Sequence, residues 1–142
     1  MEYKYLGKTG VKVSTLCFGT MSFGGDADES ESAKMFNRCR DLGINFFDCA
    51  NVYANGLSEE ILGRLIADCR DEVLITSKVF GRTGPGENER GSSRRNIILE
   101  VEKSLKRLNT DRLDLYFFHG FDNDTPIEDS LQAMDDLVRQ GK

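Results

Sequence analysis

The sequence predicts the N-terminal half of a (β/α)8 barrel, four βα units preceded by a β-hairpin, on three observations. Continuous apolar runs alternate with stretches of helical periodicity, the pattern of parallel strands covered on both faces. Three of those runs end at an ionisable residue: 44–47 at Asp48, 73–77 at Lys78, and 113–118 at His119, the only histidine in the chain. No Gly-x-Gly-x-x-Gly follows the first run, where Gly19, Gly24 and Gly25 have the wrong spacing, so a doubly wound sheet lacks its usual fingerprint.

The elements follow in order. Residues 3–6 and 11–14 flank Gly7-Lys8-Thr9-Gly10 and read as a short hairpin. Leu16-Cys17-Phe18 is a brief strand closed by Gly19. A first helix after Asp28 or Ser30 buries Met35, Phe36, Cys39 and Leu42 and stops at Gly43, a residue suited to a left-handed cap. The second starts on Ser58 as N-cap, with Ile61, Leu62, Leu65, Ile66 and Cys69 on one side. The third runs from about Ser93 to Leu108 on the stripe Ile97, Val101, Leu105, Leu108. The fourth opens with Thr125-Pro126-Ile127-Glu128, read as a capping box with proline in the first turn, and Leu131, Met134 and Val138 form its core stripe. Four βα units after a hairpin therefore fit, and with right-handed crossovers this order can curl into a barrel or lie open as a doubly wound sheet.

With 142 residues the chain reads as one domain, 1–142. A closed eight-unit barrel takes about 250 residues, and four units alone would leave two unpaired edges. The expectation is therefore a piece of a longer protein whose C-terminal half lies outside this chain, or a half that pairs with a second copy. A net charge of −5 and the lack of a long Lys/Arg stripe exclude a nucleic-acid footprint. Arg94, Arg95, Lys103, Lys106 and Arg107 share one helix with glutamates and read as a solvated face. No apolar run has membrane-spanning length and the N-terminus lacks a signal-type apolar core, which points to the cytoplasm. Cys17, Cys39, Cys49 and Cys69 are irregularly spaced; with a single histidine they read as buried, reduced thiols, with no metal site.

The loop after the second strand brings Tyr53 within five residues of Asp48, so that Tyr53, Asp48, Lys78 and His119 converge on the face where α/β proteins collect ligands. Taken singly, a strand-end Asp or Lys is a capped or solvated residue, and a histidine after Phe-Phe a satisfied core residue. Taken together they describe a chemistry. An ammonium beside a phenol favours the phenolate, a carboxylate keeps the ammonium charged and oriented, and an imidazole can hold a substrate oxygen. That set suits protonation of a carbonyl oxygen as hydride arrives at its carbon. The segment 81–91, Gly-rich and polar, is read as a mobile lid or unstructured connector in preference to a phosphate cradle.

Asp48-x4-Tyr53 with Gly56-x-Ser58-Glu59-Glu60-Ile61-Leu62-Gly63 resembles the second βα loop of the aldo-keto reductases. The resemblance extends to the opening 6–14, to Phe18-Gly19-Thr20-Met21-Ser22-Phe23-Gly24, to 104–108 with 111–116 and His119, and to 125–128. It is strongest toward the bacterial-type branch that is similar to potassium-channel β-subunits. It implies a reductase of small-molecule aldehydes or ketones using NADPH, with NADH left open, and a hairpin that plugs the barrel bottom. Tyr53 would be the general acid, Lys78 and Asp48 its tuning pair, and His119 the carbonyl-orienting group. Gly19, Thr20 and Met21 would lie by the nicotinamide, and Phe23, Phe80 and Phe121 would wall the substrate pocket. Cys49 stands where the family usually has threonine. Most of the family's cofactor contacts come from later strands, so the resemblance implies activity in a full-length protein and an inactive 142-residue chain. Two other readings stay open: a redox-sensing module that holds cofactor and regulates a partner, and a half-barrel that self-associates.

Overall fold

The structure, a computed structural model, describes all of residues 1–142. Strands β1 (Tyr3–Tyr5) and β2 (Lys12–Ser14) pair antiparallel as the expected hairpin. Tyr3 donates its hydroxyl hydrogen to Gly43 O and Ser14 N–H donates to Asn45 Oδ1, fastening the hairpin to the segment entering the second parallel strand. The main sheet holds β3 (Phe18–Gly19), β4 (Phe46–Asp48), β5 (Leu74–Val79) and β6 (Leu115–Phe118), all parallel and in chain order. Right-handed crossovers between successive neighbours put every connecting helix on the same face. A doubly wound sheet would reverse its strand order at a switch point, and this one does not.

The helices are α1 (Glu29–Asp41), α2 (Leu57–Leu65), α3 (Arg94–Leu108) and α4 (Ile127–Arg139). Asp28 caps α1 by accepting the Glu31 N–H, and Ser93 caps α3 by accepting that of Asn96. Between sheet and helices lies one core, with Phe36, Phe47, Ile61, Leu62, Ile75, Val79, Ile97, Val101 and Leu108 among its members. Gly63 sets the separation of α2 and α3: a Cβ there would stand 2.7 Å from the carbonyl oxygens of Arg107 and Leu108.

Several sequence expectations are corrected. Leu42 is exposed, because the chain leaves α1 before that position can turn inward. Ser58 lies inside α2, whose N-cap is Gly56 at φ +93°; the serine hydroxyl donates to Thr20 O and so joins two loops instead of capping. Thr125 and Glu128 form no capping box: Pro126 precedes the first turn and Thr125 donates its hydroxyl to Asp122. On α4 the buried stripe is Ser130, Ala133 and Leu137, whereas Leu131 and Val138 face outward. The basic residues of α3 are not all solvated, since Arg107 turns back onto buried Glu59. All four cysteines are free, but Cys17 is exposed.

Candidate active site

The carboxyl ends of β4 and β5 are in register, with Asp48 opposite Thr76. Side chains alternate along a strand, so Thr76 and Lys78 point to the same face as Asp48. The carboxylate of Asp48 accepts from both: Thr76 Oγ1 at 2.6 Å and Lys78 Nζ at 2.7 Å. Lys78 Nζ also donates to Cys49 O at 2.7 Å and to the Tyr53 hydroxyl oxygen at 3.2 Å. All three ammonium hydrogens are thereby directed, and the ammonium also lies 4.8 Å from the Tyr53 ring centroid. Lys78 occupies a position within β5 instead of following it, since the strand continues to Val79.

His119 leaves the end of β6, where its N–H donates to Val79 O. Its ring meets that of Tyr53 edge-on, centroids 5.7 Å apart. Partial burial holds the imidazole below its ordinary range, the Lys78 charge lowers it further, and Asp48 opposes both. The four side chains proposed from spacing alone therefore occupy one cluster.

The backbone that presents Tyr53 is strained. Ala54 (φ 47°, ψ 38°) and Asn55 (φ 55°, ψ 36°) are both left-handed, and Gly56 follows at φ +93°. A left-handed alanine costs about 1–2 kcal/mol, while asparagine and glycine tolerate the region better. Such a segment persists only where its surroundings determine it. Part of that surrounding is the Arg107 side chain, whose Cδ would stand 2.9 Å from a Cβ placed on Gly56.

The remaining expected residues divide. Gly19 ends β3 with open space where a Cβ would sit, and Met21 is exposed. Thr20 is fully buried, its hydroxyl within hydrogen-bond distance of Asp48 O and Ser58 Oγ, so it braces the loop instead of facing outward. Phe23 is fully buried in the core, its ring packed on that of Phe18. The Phe80 ring covers Gly120 beside His119, and Phe121 is largely exposed. Cys49 is buried against Ser58 Oγ; burial first, then the Glu59 charge, pushes its thiol up to about 11. Cys17, though exposed, is raised to about 11 by partial desolvation and then by Asp48, against the opposing effect of Lys78.

The 81–91 segment is no unstructured connector. Gly91 N–H donates to Phe80 O and closes it, Arg82 donates to the carbonyls of Gly84, Pro85 and Gly86, and Glu89 accepts the Gly86 N–H. Arg82 and the Gly86 N–H are committed within the loop, which argues against a phosphate cradle.

Sequence reasoning missed Thr76 and two buried acids. Glu59 accepts from Ser77 Oγ at 2.5 Å and Arg107 Nε at 2.6 Å. Glu100 accepts from Asn51 Nδ2, Thr83 Oγ1 and Lys103 Nζ. A signal existed for two of the three: Thr76 is two residues before Lys78, and Glu100 falls on the same side of α3 as Ile97, Val101 and Ser104.

The Aldo/keto reductase family matches residues 15–142. Probable voltage-gated potassium channel β subunits from Arabidopsis thaliana and Oryza sativa subsp. japonica are 45% and 41% identical, over 99% of this chain and 44% of theirs. A Bacillus subtilis (strain 168) protein described as an uncharacterized oxidoreductase is 42% identical over 100% of this chain and 47% of its own. The solved holo form of an aldo-keto reductase from Bacillus halodurans superposes with a TM-score of 0.90 at 34% identity, over 99% of this chain and 47% of that one. The chain thus spans about half the length of the curated relatives it matches, and its sheet and hairpin correspond to the N-terminal portion of their barrel. Fold, strand order and family signature agree, and the chain belongs to the aldo/keto reductase family.

Proposed function

We propose that the full-length protein carrying these residues reduces the carbonyl group of a small aldehyde or ketone to an alcohol, with Tyr53 as general acid. The supporting observation is the Lys78 ammonium shared between the Asp48 carboxylate and the Tyr53 hydroxyl. A reduced nicotinamide, NADPH with NADH as alternative, supplies hydride to the carbonyl carbon when bound. Room for it is consistent with Gly19, which carries nothing above the end of β3, and with exposed Met21 beside it.

As negative charge develops on the carbonyl oxygen, Tyr53 donates its phenolic proton there. Lys78 stabilises the phenolate left behind, and Asp48 and Thr76 hold the ammonium and carboxylate in place. His119, whose imidazole is held below its ordinary range by burial and then by the Lys78 charge, orients the carbonyl oxygen. Phe80 and Phe121 border the approach to His119. No helix is long and apolar enough to cross a membrane.

Tyr53→Phe in the full-length protein should lower kcat by about 10²–10⁴ while cofactor affinity is retained. Unchanged NADPH consumption with an aldehyde would remove Tyr53 from this role. The 142-residue chain alone is expected to show no steady turnover, and rates matching the full-length protein would refute that part.

A second reading, a regulatory subunit that holds cofactor and cycles slowly, is favoured by the description of both plant relatives as potassium channel β subunits. Many turnovers per minute with simple aldehydes would exclude it, whereas a single slow cycle would support it.

A further inference from the structure

We propose that Glu100 is a positioning residue for Tyr53, acting through Asn51 and Thr83 to pin the loops that follow β4 and β5. The inference rests on the reductase reading for its catalytic consequence, but its structural content stands on hydrogen bonds alone. Glu100 sits on the buried face of α3 with its side chain 1% exposed. A carboxylate so enclosed is retained at a cost unless its oxygens are filled by donors. They are: Oε2 accepts Asn51 Nδ2 at 2.8 Å, and Oε1 accepts Thr83 Oγ1 at 3.0 Å and Lys103 Nζ at 2.8 Å.

Asn51 lies between Asp48 and Tyr53 in the chain and is itself buried. Its backbone N–H reaches Lys78 O at 3.4 Å, so a single residue bridges the strand that carries Lys78 and the helix that carries Glu100. Its amide orientation is fixed by the carboxylate, since only the NH2 side can face Glu100; the amide oxygen is left buried without a partner. An unfilled buried acceptor carries a desolvation cost, so the bond to Glu100 holds this amide orientation against a penalty. Two residues after the tie comes Tyr53, and then the left-handed run 54–56, which needs an anchor on each side. The C-terminal anchor is Gly56 packed on Arg107. Asn51 on Glu100 is the N-terminal one. Thr83 adds the first turn of the 81–91 loop to the same carboxylate.

Glu100 acts on the reaction through the residues it holds, Asn51 ahead of Tyr53 and Thr83 in the 81–91 loop. His119 offers a specific reporter, its signal assigned by its loss in His119→Gln, because its ring stands edge-on to Tyr53 at 5.7 Å and senses that ring magnetically. In the full-length protein without cofactor, Asn51→Ala and Asn51→Asp should each move the His119 ring-proton resonance toward its position in Tyr53→Leu. The amides of 51–57 should lose exchange protection while those of α3 keep theirs. The double variant Asn51→Asp with Glu100→Gln rebuilds the bond with donor and acceptor exchanged, and should return both signals to the wild-type values. In turnover, Asn51→Asp should lower kcat about tenfold with KM unchanged, and the double variant should recover most of it. A His119 resonance and loop protection unchanged in Asn51→Ala would overturn the proposal, as would a double variant that fails to restore what Asn51→Asp lost. If the resonances behave as expected but wild type itself reduces no carbonyl, the reductase reading fails and the positioning of Tyr53 by Glu100 stands.

Discussion

The two middle strands and the last strand of the sheet carry similar sequences and meet different fates. β5 has a neighbour on each side, and its Leu74–Ser77 and Val79 are buried. β6 has one neighbour, and Phe117 on it is exposed, as are Ile127, Leu131 and Val138 on the helix that follows. Apolar residues mark both regions equally; only in the first do they find partners within these 142 residues. Order follows the same division. Asp48, Thr76 and Lys78 are held by strands paired on both sides, and the polar groups behind them on α2 and α3 are enclosed and satisfied. A set of catalytic groups needs that kind of support to hold its geometry.

The comparison is tested most severely at Arg107. Removing it by Arg107→Ala leaves Glu59, whose side chain is fully buried, with a charge that only Ser77 addresses. Breaking such a pair on one side costs about 3–5 kcal/mol. The exposed pair Arg139–Asp135 on α4 should cost about 0–0.5 kcal/mol in Asp135→Ala. Denaturant titration of both variants measures the contrast. Equal losses would mean that the interior of the sheet is no better determined than its edge.

The apolar version of the same test is smaller. Ile75→Ala opens a void between the sheet and the helices at a fully buried position and should cost about 2–5 kcal/mol. Leu131→Ala, on the outer face of α4, should fall within about 0.5 kcal/mol of wild type in the 142-residue chain. If Leu131→Ala proves as costly as Ile75→Ala, that face of α4 is covered in solution, which would favour a self-associating half-barrel.

What the sequence disclosed follows this boundary. Periodicity located all four helices and the hairpin, and strand-end chemistry brought Asp48, Tyr53, Lys78 and His119 together before any coordinates. It failed on α4, where apolar residues occupy two adjacent stripes and periodicity cannot say which one has a neighbour. Ser130, Ala133 and Leu137 pack inward because small residues there let α4 approach α3, with the Ser130 hydroxyl donating to Ser92 O just before that helix. It also failed on Ser58 and Thr125, whose hydroxyls look like caps but are drawn to partners far along the chain or in the preceding turn. The buried acids were overlooked for a different reason. Glu59 and Glu100 read as surface charges until Arg107, Ser77 and Asn51 are known to surround them, and those partners are contributed by other elements.

The finest test concerns charge where the edge strand meets the interior ones, since His119 follows β6 and Asp48 and Lys78 belong to β4 and β5. His119 is held below its ordinary value of about 6.5 by burial and by the Lys78 ammonium, with Asp48 pulling the other way. Lys78→Met should therefore raise its titration midpoint, and Asp48→Asn should lower it, both read from the one histidine resonance. The linkage to stability has a definite sign. Between the lowered folded value and 6.5 the unfolded chain binds more protons than the folded one, so stability is complete above 6.5 and declines as pH falls through that window. His119→Gln should remove this slope and leave the carboxylate transitions at lower pH, among them that of Asp122, which is lowered mainly by its bond from the Ser92 N–H. A midpoint that ignores both Lys78 and Asp48 would place the imidazole outside their field, and with it outside reach of the Tyr53 hydroxyl.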